Sequence, residues 1–262
     1  MDLGERRAFY ARGGVGEPLL LIMGMSGHHG MWGEPFRSLL ERDFDVLAYD
    51  HRGIGESGWA EAPFTIAELA EDAARLMAAV GWDGAHVLGI SMGGMVAQEL
   101  ALTHPELVRT LVLGCTYAGP NGGSLHAPGP LRLVEAISTR DAELALRTAF
   151  EVNLSQQHRD AAGDYEAFRQ LSLSAKVPAA VVMMQLQAAL VHDTTARLPN
   201  LRIPTLVVHG TADEMIVASN GEHIAGLIPD AKLELLDGVG HLFWLEQPQR
   251  SAELVHEHAL GR

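Results

Sequence analysis

The sequence has only one cysteine, Cys115, few basic residues and no long apolar run. A single cysteine excludes an internal disulfide bond, and residues 1–14 carry several charges instead of an apolar signal core, so a reducing cytoplasm is the expected location. The 19 Lys and Arg residues are outnumbered by 33 Asp and Glu residues, which argues against nucleic acid or an anionic membrane surface as a partner. No uncharged apolar stretch reaches the roughly 18 residues of a spanning helix, so no transmembrane segment is expected.

What the chain does have is enough apolar residues for a globular core. Hydrophobic residues make up 47% of the 262 residues, and this length favours one domain with an inserted segment over two independent domains. Short apolar runs alternate with amphipathic segments up to about residue 119 and again from about residue 200, which is typical of buried parallel strands joined by helices. The runs lie at 19–23, 46–49, 86–88, 111–114, 205–209 and 233–236.

This alternation predicts an α/β fold: a mostly parallel, doubly wound sheet of about eight strands with helices on both faces. An antiparallel edge hairpin is expected around residues 7–10. The segment Thr65-Ile66-Ala67-Glu68 matches a capping box and predicts the start of a crossover helix. Residues 1–119 and 200–262 are expected to form the core domain.

Residues 120–199 lack a strand pattern and are expected to form a helical cap, or lid, inserted into that core. The segment opens with loops rich in glycine and proline and then shows helical spacing. An insertion over the carboxyl ends of the strands would line a pocket and exclude water from it. The predicted helices lie near 131–138, 141–150, 165–173 and 178–191.

The most informative motif is Gly89-Ile90-Ser91-Met92-Gly93, which follows an apolar run and precedes a helical pattern. A serine with a glycine two positions away on each side suits a sharp strand-to-helix turn, where the serine hydroxyl projects outward. A side chain at Gly89 or Gly93 would collide with the neighbouring turn. The motif therefore predicts Ser91 as a nucleophile.

A serine hydroxyl is a weak nucleophile at neutral pH, so it needs a base and an acid that orients the base. Asp213 follows the apolar run at 205–209, and His241 follows the run at 233–236. Both fall in loops at the carboxyl ends of predicted strands, where open α/β sheets build their sites. The sequence therefore predicts a triad in the chain order Ser91, Asp213, His241.

On these three segments and their order, the chain resembles the α/β-hydrolase fold superfamily over nearly its whole length. The resemblance implies an oxyanion hole formed by the backbone N–H groups of Met25 and Met92, because a tetrahedral intermediate needs preorganised donors. Many relatives have His-Gly where this chain has Met23-Gly24. The hole uses the amide of the following residue, so the change is not expected to abolish it.

Other side chains near these segments have a structural and a functional interpretation. Core packing competes with a role in the substrate pocket for each of them. The adjacent His28 and His29 are not expected to bind a metal, because they point in different directions and further ligands would be needed. Cys115 is interpreted as a small buried side chain, and the loop at 50–57 as a turn that supports the site. The pocket candidates are Gly24, His28, Trp32, Met184 and Phe243.

These residues together predict a serine hydrolase that cleaves a small, largely apolar carboxylic ester or lactone and uses no cofactor. Within the superfamily, the loops of this chain are weakly similar to those of enol-lactonases of aromatic degradation and of methylesterases acting on polyketides. A carbon–carbon bond hydrolase and a cofactor-free perhydrolase are alternatives on the same triad. A ligand-binding protein that keeps the hydrolase scaffold is the alternative from another class. The sequence leaves a homodimer open.

Overall fold

The computed structural model describes Met1, residues 7–160 and residues 164–261. A seven-stranded sheet forms its centre. The strands are β1 (Tyr10–Gly13), β2 (Glu17–Ile22), β3 (Phe44–Tyr49), β4 (Ala85–Ile90), β5 (Val108–Gly114), β6 (Thr205–Gly210) and β7 (Lys232–Leu236). Their order in the sheet is β1-β3-β2-β4-β5-β6-β7. β1 is antiparallel to β3, and every other neighbouring pair is parallel.

Helices cover both faces of this sheet. The helices of the described residues are α1 (Glu34–Leu40), α2 (Ile66–Ala79), α3 (Met92–Thr103), α4 (Pro128–Ser138), α5 (Ala142–Asn153), α6 (Gln156–Arg159), α7 (Asp164–Leu173), α8 (Ala179–Leu190), α9 (Ser219–Leu227), α10 (Phe243–Glu246) and α11 (Pro248–Leu260). Side chains of α2, α3 and α9 join one buried cluster, and those of α1, α10 and α11 join the other. Among the described residues, none of the helices combines the length and apolar character needed to span a bilayer.

Strand β2 shows why the sequences of the buried strands are continuous apolar runs. Leu20 and Ile22 belong to the cluster with α2 and α3, whereas Leu19 and Leu21 belong to the cluster with α1 and α11. All four side chains are fully buried. Successive side chains of a strand point to opposite faces, so a strand covered on both faces needs an apolar residue at every position.

The strands and the first crossover helix lie where the sequence predicts them. All six predicted strands are confirmed, with ends that differ by up to three residues. The capping box is also confirmed: the Thr65 hydroxyl accepts from the Glu68 N–H, and the Glu68 carboxylate accepts from the Thr65 N–H. This reciprocal pair satisfies two donors at the start of α2 and fixes where the helix begins.

The number of strands in the structure differs from the number that the sequence predicts. The sequence predicts about eight, whereas the described residues contain seven. Strand β1 is the antiparallel edge strand, but it overlaps the predicted segment at 7–10 only at Tyr10, and it pairs with β3 instead of forming a hairpin with β2. Residues 2–6, where more of an edge hairpin would fall, lie outside the described residues.

Glycines allow the connection from β1 to β2 to cross the start of β3. Gly14 and Gly16 both have positive φ, at 80° and 136°. A Cβ on Gly14 would lie 2.2 Å from the Phe44 carbonyl oxygen, and one on Gly16 would lie 2.0 Å from the Asp43 carbonyl oxygen. Only glycine fits so close an approach.

Helices α4 to α8 all lie between β5 and β6, and the described residues of this segment contain no strand. The four predicted helices are confirmed. The single turn α6 is additional; its N-terminus is capped by the Ser155 hydroxyl, which accepts from the His158 N–H. The division into a core domain (1–119 and 200–262) and a cap (120–199) remains a prediction.

Candidate active site

Ser91 occupies a strained turn between β4 and α3. Its φ is 53° and its ψ is −125°, a conformation that costs a non-glycine residue on the order of 1–3 kcal/mol. Two bonds hold the backbone there: the Ser91 N–H donates to the Gly114 carbonyl at 2.8 Å, and the Thr116 hydroxyl donates to the Ser91 carbonyl at 2.6 Å. The surrounding structure therefore fixes the serine at the carboxyl end of β4.

The glycines around Ser91 are required by close backbone contacts. A Cβ on Gly89 would lie 2.3 Å from the Gly93 carbonyl oxygen, and a Cβ on Gly93 would lie 2.1 Å from the Ile22 carbonyl oxygen. Gly24 follows β2, and a Cβ there would lie 2.9 Å from the Cβ of Ser91. The loop after β2 consequently passes directly against the candidate nucleophile.

Asp213 and His241 meet at the carboxyl ends of β6 and β7. The His241 Nδ1 atom lies 2.6 Å from the Asp213 Oδ2 atom, and both residues are buried. The other carboxylate oxygen accepts the N–H groups of Met215 at 2.7 Å and Ile216 at 2.9 Å. With Nδ1 donating to the carboxylate, Nε2 of His241 is the nitrogen left to accept a proton.

A further histidine, which no motif in the sequence indicated, lies at this carboxylate. His209 is fully buried in β6; its Nε2 atom lies 2.7 Å from the Ile216 carbonyl oxygen and 3.3 Å from Asp213 Oδ2. Burial alone would raise the pKa of Asp213, but His241 and His209 beside it hold that pKa well below its usual range. His209 could have been identified in the sequence because it is a polar residue within an otherwise apolar strand.

Cys115 lies beside the same carboxylate without being a competing nucleophile. Its Sγ atom and the ligand atoms of His209 and Asp213 lie within 4.8 Å of one another. Burial, and then the charge of Asp213, raise the pKa of the Cys115 thiol well above its usual range. The thiol therefore stays protonated, in agreement with its interpretation as a small buried side chain.

The three predicted triad residues come to one edge of the sheet. The Ser91 N–H donates to the carbonyl of Gly114, and Cys115 follows Gly114 in the chain. The Cys115 thiol lies near the Asp213 carboxylate, which is hydrogen-bonded to His241. Among the described residues, no hydrogen bond joins the Ser91 hydroxyl to His241. In ligand-free enzymes such catalytic bonds are often long and tighten only when substrate binds.

Two backbone N–H groups flank Ser91 with no hydrogen-bond acceptor among the described residues. One belongs to Met92, the first residue of α3, where helix N–H groups lack a partner within the helix. The other belongs to Met25, in the loop that packs against Ser91. Ser26, the next residue, has a φ of 61°, so the backbone of this loop is also in the left-handed region.

The hydrogen bonds of the 50–57 loop hold the end of β2 and the loop that follows it. The Asp50 carboxylate accepts the N–H groups of His29 at 2.7 Å and Glu56 at 3.2 Å. The His51 Nε2 atom lies 2.8 Å from the Met23 carbonyl oxygen, immediately before the loop with the free Met25 N–H. This loop thus holds the end of β2 in place.

The pocket candidates have different surroundings. Trp32 is fully buried, and its ring packs against Phe36 and Trp244, which are contacts of a core residue. The ring of Phe243 is also buried and packs so close to Gly114 that a Cβ there would lie 2.7 Å from it. Met184 is partly buried against the cluster of α2 and α3. Their role in the pocket remains a prediction.

His28 connects the loop after β2 to the inserted helices. Its Nδ1 atom accepts from the Gly30 N–H at 3.1 Å, and its Nε2 atom lies 3.1 Å from the Leu171 carbonyl oxygen in α7. His28, His29 and Asp50 are close enough together to share a metal ion. Hydrogen bonds already engage both ring nitrogens of His28, so its position is explained without a metal.

A family model for the alpha/beta hydrolase fold matches residues 17–248. The match spans β2 to the start of α11 and includes Ser91, Asp213 and His241. The chain belongs to this family and is a hydrolase.

Similar proteins span almost the entire chain. The protein named "Putative carbamate hydrolase RutD" from Azorhizobium caulinodans is 30% identical over 96% of this chain and 94% of its own length. The crystal structure of the esterase RhEst1 from Rhodococcus sp. ECU1013 has a TM-score of 0.81 and 28% identity over 96% of this chain and 94% of that one. The enol-lactonase from Burkholderia xenovorans LB400 has a TM-score of 0.84, with 23% identity over 97% of both chains, and shows the shared fold.

Proposed function

We propose that the protein is a serine hydrolase that cleaves a small, largely apolar carboxylic ester or lactone through an acyl-enzyme on Ser91. The observation that carries the proposal is the buried His241–Asp213 hydrogen bond of 2.6 Å. Ser91, with a φ of 53° at the carboxyl end of β4, supports it. The esterase name of a relative with 28% identity also supports it.

In the proposed mechanism, Nε2 of His241 takes the proton of the Ser91 hydroxyl as its oxygen attacks the substrate carbonyl. Asp213 keeps the imidazole oriented and stabilises its protonated form. The N–H groups of Met25 and Met92 stabilise the negative oxygen of the tetrahedral intermediate, and each such donor contributes about 3 kcal/mol in comparable sites. His241 then protonates the leaving alcohol and later activates the water that cleaves the acyl-enzyme.

We also propose that the inserted helices form a cap over the site. Contacts of α7 with His28 and of α8 with the loop after β2 support this placement. A cap excludes water and gives the substrate apolar walls. A cytoplasmic location and a small-molecule substrate as the partner, without nucleic acid or membrane, stay predictions, and a homodimer stays open.

Substitution of Ser91 and of His241 by alanine tests the mechanism. Ser91→Ala and His241→Ala should each lower the turnover of 4-nitrophenyl esters by about 10⁴-fold or more and leave the circular dichroism spectrum unchanged. Ser138→Ala and His126→Ala, at exposed positions, are the matched controls. Near-normal turnover in either of the first two variants would contradict the mechanism.

Labelling with a fluorophosphonate separates an enzyme from a ligand-binding protein on the same scaffold. A serine hydrolase should gain one adduct, located on Ser91 by mass spectrometry, and the Ser91→Ala protein should gain none. Esters, lactones, vinylogous diketones, and acetate with peroxide then separate the reaction types. A carbamate belongs in the panel because of the name of the relative from Azorhizobium caulinodans.

A further inference from the structure

Two hydrogen bonds hold the backbone on either side of His241. The Gly240 N–H donates to the Glu246 Oε1 atom at 3.0 Å, and the Leu242 N–H donates to the Asn153 carbonyl oxygen at 3.0 Å. Asn153 is the last residue of α5, so one of the two acceptors belongs to the inserted helices. The backbone that carries the proposed base is therefore held by groups outside its own loop.

The Glu246 carboxylate joins the loop of His241 to the inserted segment. Its Oε1 atom also accepts from the Ser155 N–H at 2.8 Å, and its Oε2 atom accepts from the Ser155 hydroxyl at 2.5 Å. Ser155 lies between α5 and α6 and is buried. One carboxylate thus receives a hydrogen bond from the loop of His241 and two more from the connection between α5 and α6.

Gly240 packs directly against both Glu246 and Ser155. A Cβ on Gly240 would lie 2.8 Å from the Glu246 Oε1 atom and 2.8 Å from the Ser155 nitrogen. Gly240 and Ser155 are both buried, and a buried N–H group without an acceptor is unfavourable. If the carboxylate were removed, the backbone would have to shift until these N–H groups reached other acceptors. His241 is the next residue after Gly240, so it would shift as well.

The proposed role of His241 leaves little tolerance for such a shift. Its Nδ1 atom lies 2.6 Å from the Asp213 carboxylate, and its Nε2 atom has to reach the Ser91 hydroxyl when substrate is bound. A displacement of about 1 Å can cost about 10²-fold in rate, even when its cause lies away from the reacting atoms. A side chain that holds the neighbouring backbone can therefore affect the rate without contacting the substrate.

We propose that Glu246 is a positioning residue for the base: by accepting from Gly240 and Ser155 together, it holds His241 where the imidazole can reach Ser91, and it ties the base to the inserted helices. This inference rests on the proposed function. His241 serves both acylation and deacylation, so loss of Glu246 should slow both steps and lower kcat with little change in KM. A purely structural residue would instead change stability and leave the kcat of the folded protein as it was.

A comparison of Glu246→Leu with Glu246→Gln tests this role. Leucine is similar in size but has no acceptor, whereas glutamine keeps an Oε1 atom that can accept from Gly240 and Ser155 and an –NH2 group that can donate to the Ser155 hydroxyl. Glu253→Leu, at an exposed position of α11, is the matched control for the introduced leucine. Initial rates with 4-nitrophenyl butyrate give kcat and KM, and circular dichroism gives the folded fraction by which kcat is divided.

We expect Glu246→Leu to lower kcat per folded molecule by about 10²-fold and to change KM by less than about threefold. Glu246→Gln should bring kcat back to within about fivefold of the natural protein, because the acceptor shared by the two N–H groups is present again. A kcat loss of less than about tenfold in folded Glu246→Leu would overturn the positioning role, whatever happens to the melting temperature. Equal losses in the leucine and glutamine variants would overturn it too.

A second variant covers the case in which Glu246→Leu does not fold. Glu246→Asp keeps the carboxylate but shortens the side chain by one methylene, so it cannot reach Gly240 and Ser155 at once. A kcat loss of at least about tenfold is then expected, and a smaller loss overturns the proposal.

A measurement that needs no turnover separates this inference from the proposed function. If the natural protein hydrolyses no ester, lactone or carbamate, the proposed function fails, and NMR of the histidine ring nitrogens decides the positioning role. The ring signals of His241, assigned by their absence from His241→Ala, should move in Glu246→Leu and return in Glu246→Gln. Unmoved signals in Glu246→Leu would overturn the role of Glu246.

Discussion

Replacing Asp213 by asparagine changes one atom at the centre of the site. The Oδ1 atom of the new side chain can keep the N–H groups of Met215 and Ile216, which lie at 2.7 and 2.9 Å. At the Oδ2 position an –NH2 group would face the Nδ1 atom of His241 at 2.6 Å. Two donors cannot share that contact, so His241 would have to give up its proton at Nδ1 and carry it at Nε2.

The size of the effect follows from this change of tautomer. A protonated Nε2 cannot accept the proton of Ser91, and the same –NH2 group would face a second donor, the His209 Nε2 atom, 3.3 Å away. The base is therefore lost although each side chain is still present. We expect kcat to fall by about 10⁴-fold, which corresponds to about 5.5 kcal/mol of activation free energy.

The assay is pre-steady-state hydrolysis of a 4-nitrophenyl ester, in which the first release of nitrophenolate reports acylation of Ser91. Asp237→Asn is the matched control, because Asp237 lies in the same loop as His241 but is exposed. Circular dichroism and thermal unfolding establish that Asp213→Asn is folded. A loss smaller than about tenfold in a folded variant would refute the role of Asp213 in orienting the base.

The remaining predictions concern the loop after β2 and the acid stability. Gly24→Ala should lower kcat by about 10²-fold, because its Cβ would lie 2.9 Å from that of Ser91 and displace the loop with the proposed oxyanion donor Met25. Gly226→Ala, with no atom within 4 Å, should leave kcat unchanged. Equal rates in the two variants would contradict the proposed role of this loop. Burial lowers the pKa of His192 to about 4, so the unfolded chain binds this proton more readily and the free energy of unfolding should fall by about 3 kcal/mol as the pH drops from about 6.5 to about 4. In urea titrations His192→Gln should lack that fall and the exposed His126→Gln should keep it; identical pH slopes in all three proteins would contradict this assignment.

The sheet could be predicted because its pattern is local. Strands such as β2 are buried on both faces, so short apolar runs mark them without reference to the rest of the chain. The strand-to-helix turn at Ser91 is partly local, because the contact that requires Gly89 is with Gly93, four residues on. The contact that requires Gly93 is with β2, which is far away in the chain. Asp213 and His241 followed from the rule that parallel strands end at one edge.

The partners of the site could not be predicted in the same way. Gln185 in α8 accepts from the Ser26 N–H although the two residues are separated by 159 positions in the chain, and helical spacing alone drew attention to the neighbouring Met184 instead. His209 lies within an apolar strand, where its contact with Asp213 depends on how the following loop turns back. The crossing of β3 by the connection after β1 likewise needs the strand order, which periodicity does not contain.

The acid and the base of the proposed triad lie in the loops that follow β6 and β7, the last two strands in the chain, and this has a consequence for protein synthesis. Ser91 leaves the ribosome 150 residues before His241, since 241 minus 91 is 150. Until that histidine emerges, the nascent chain carries only an ordinary alcohol at the turn. Truncated translation products that stop before it lack the proposed base and are accordingly expected not to hydrolyse esters in the cell.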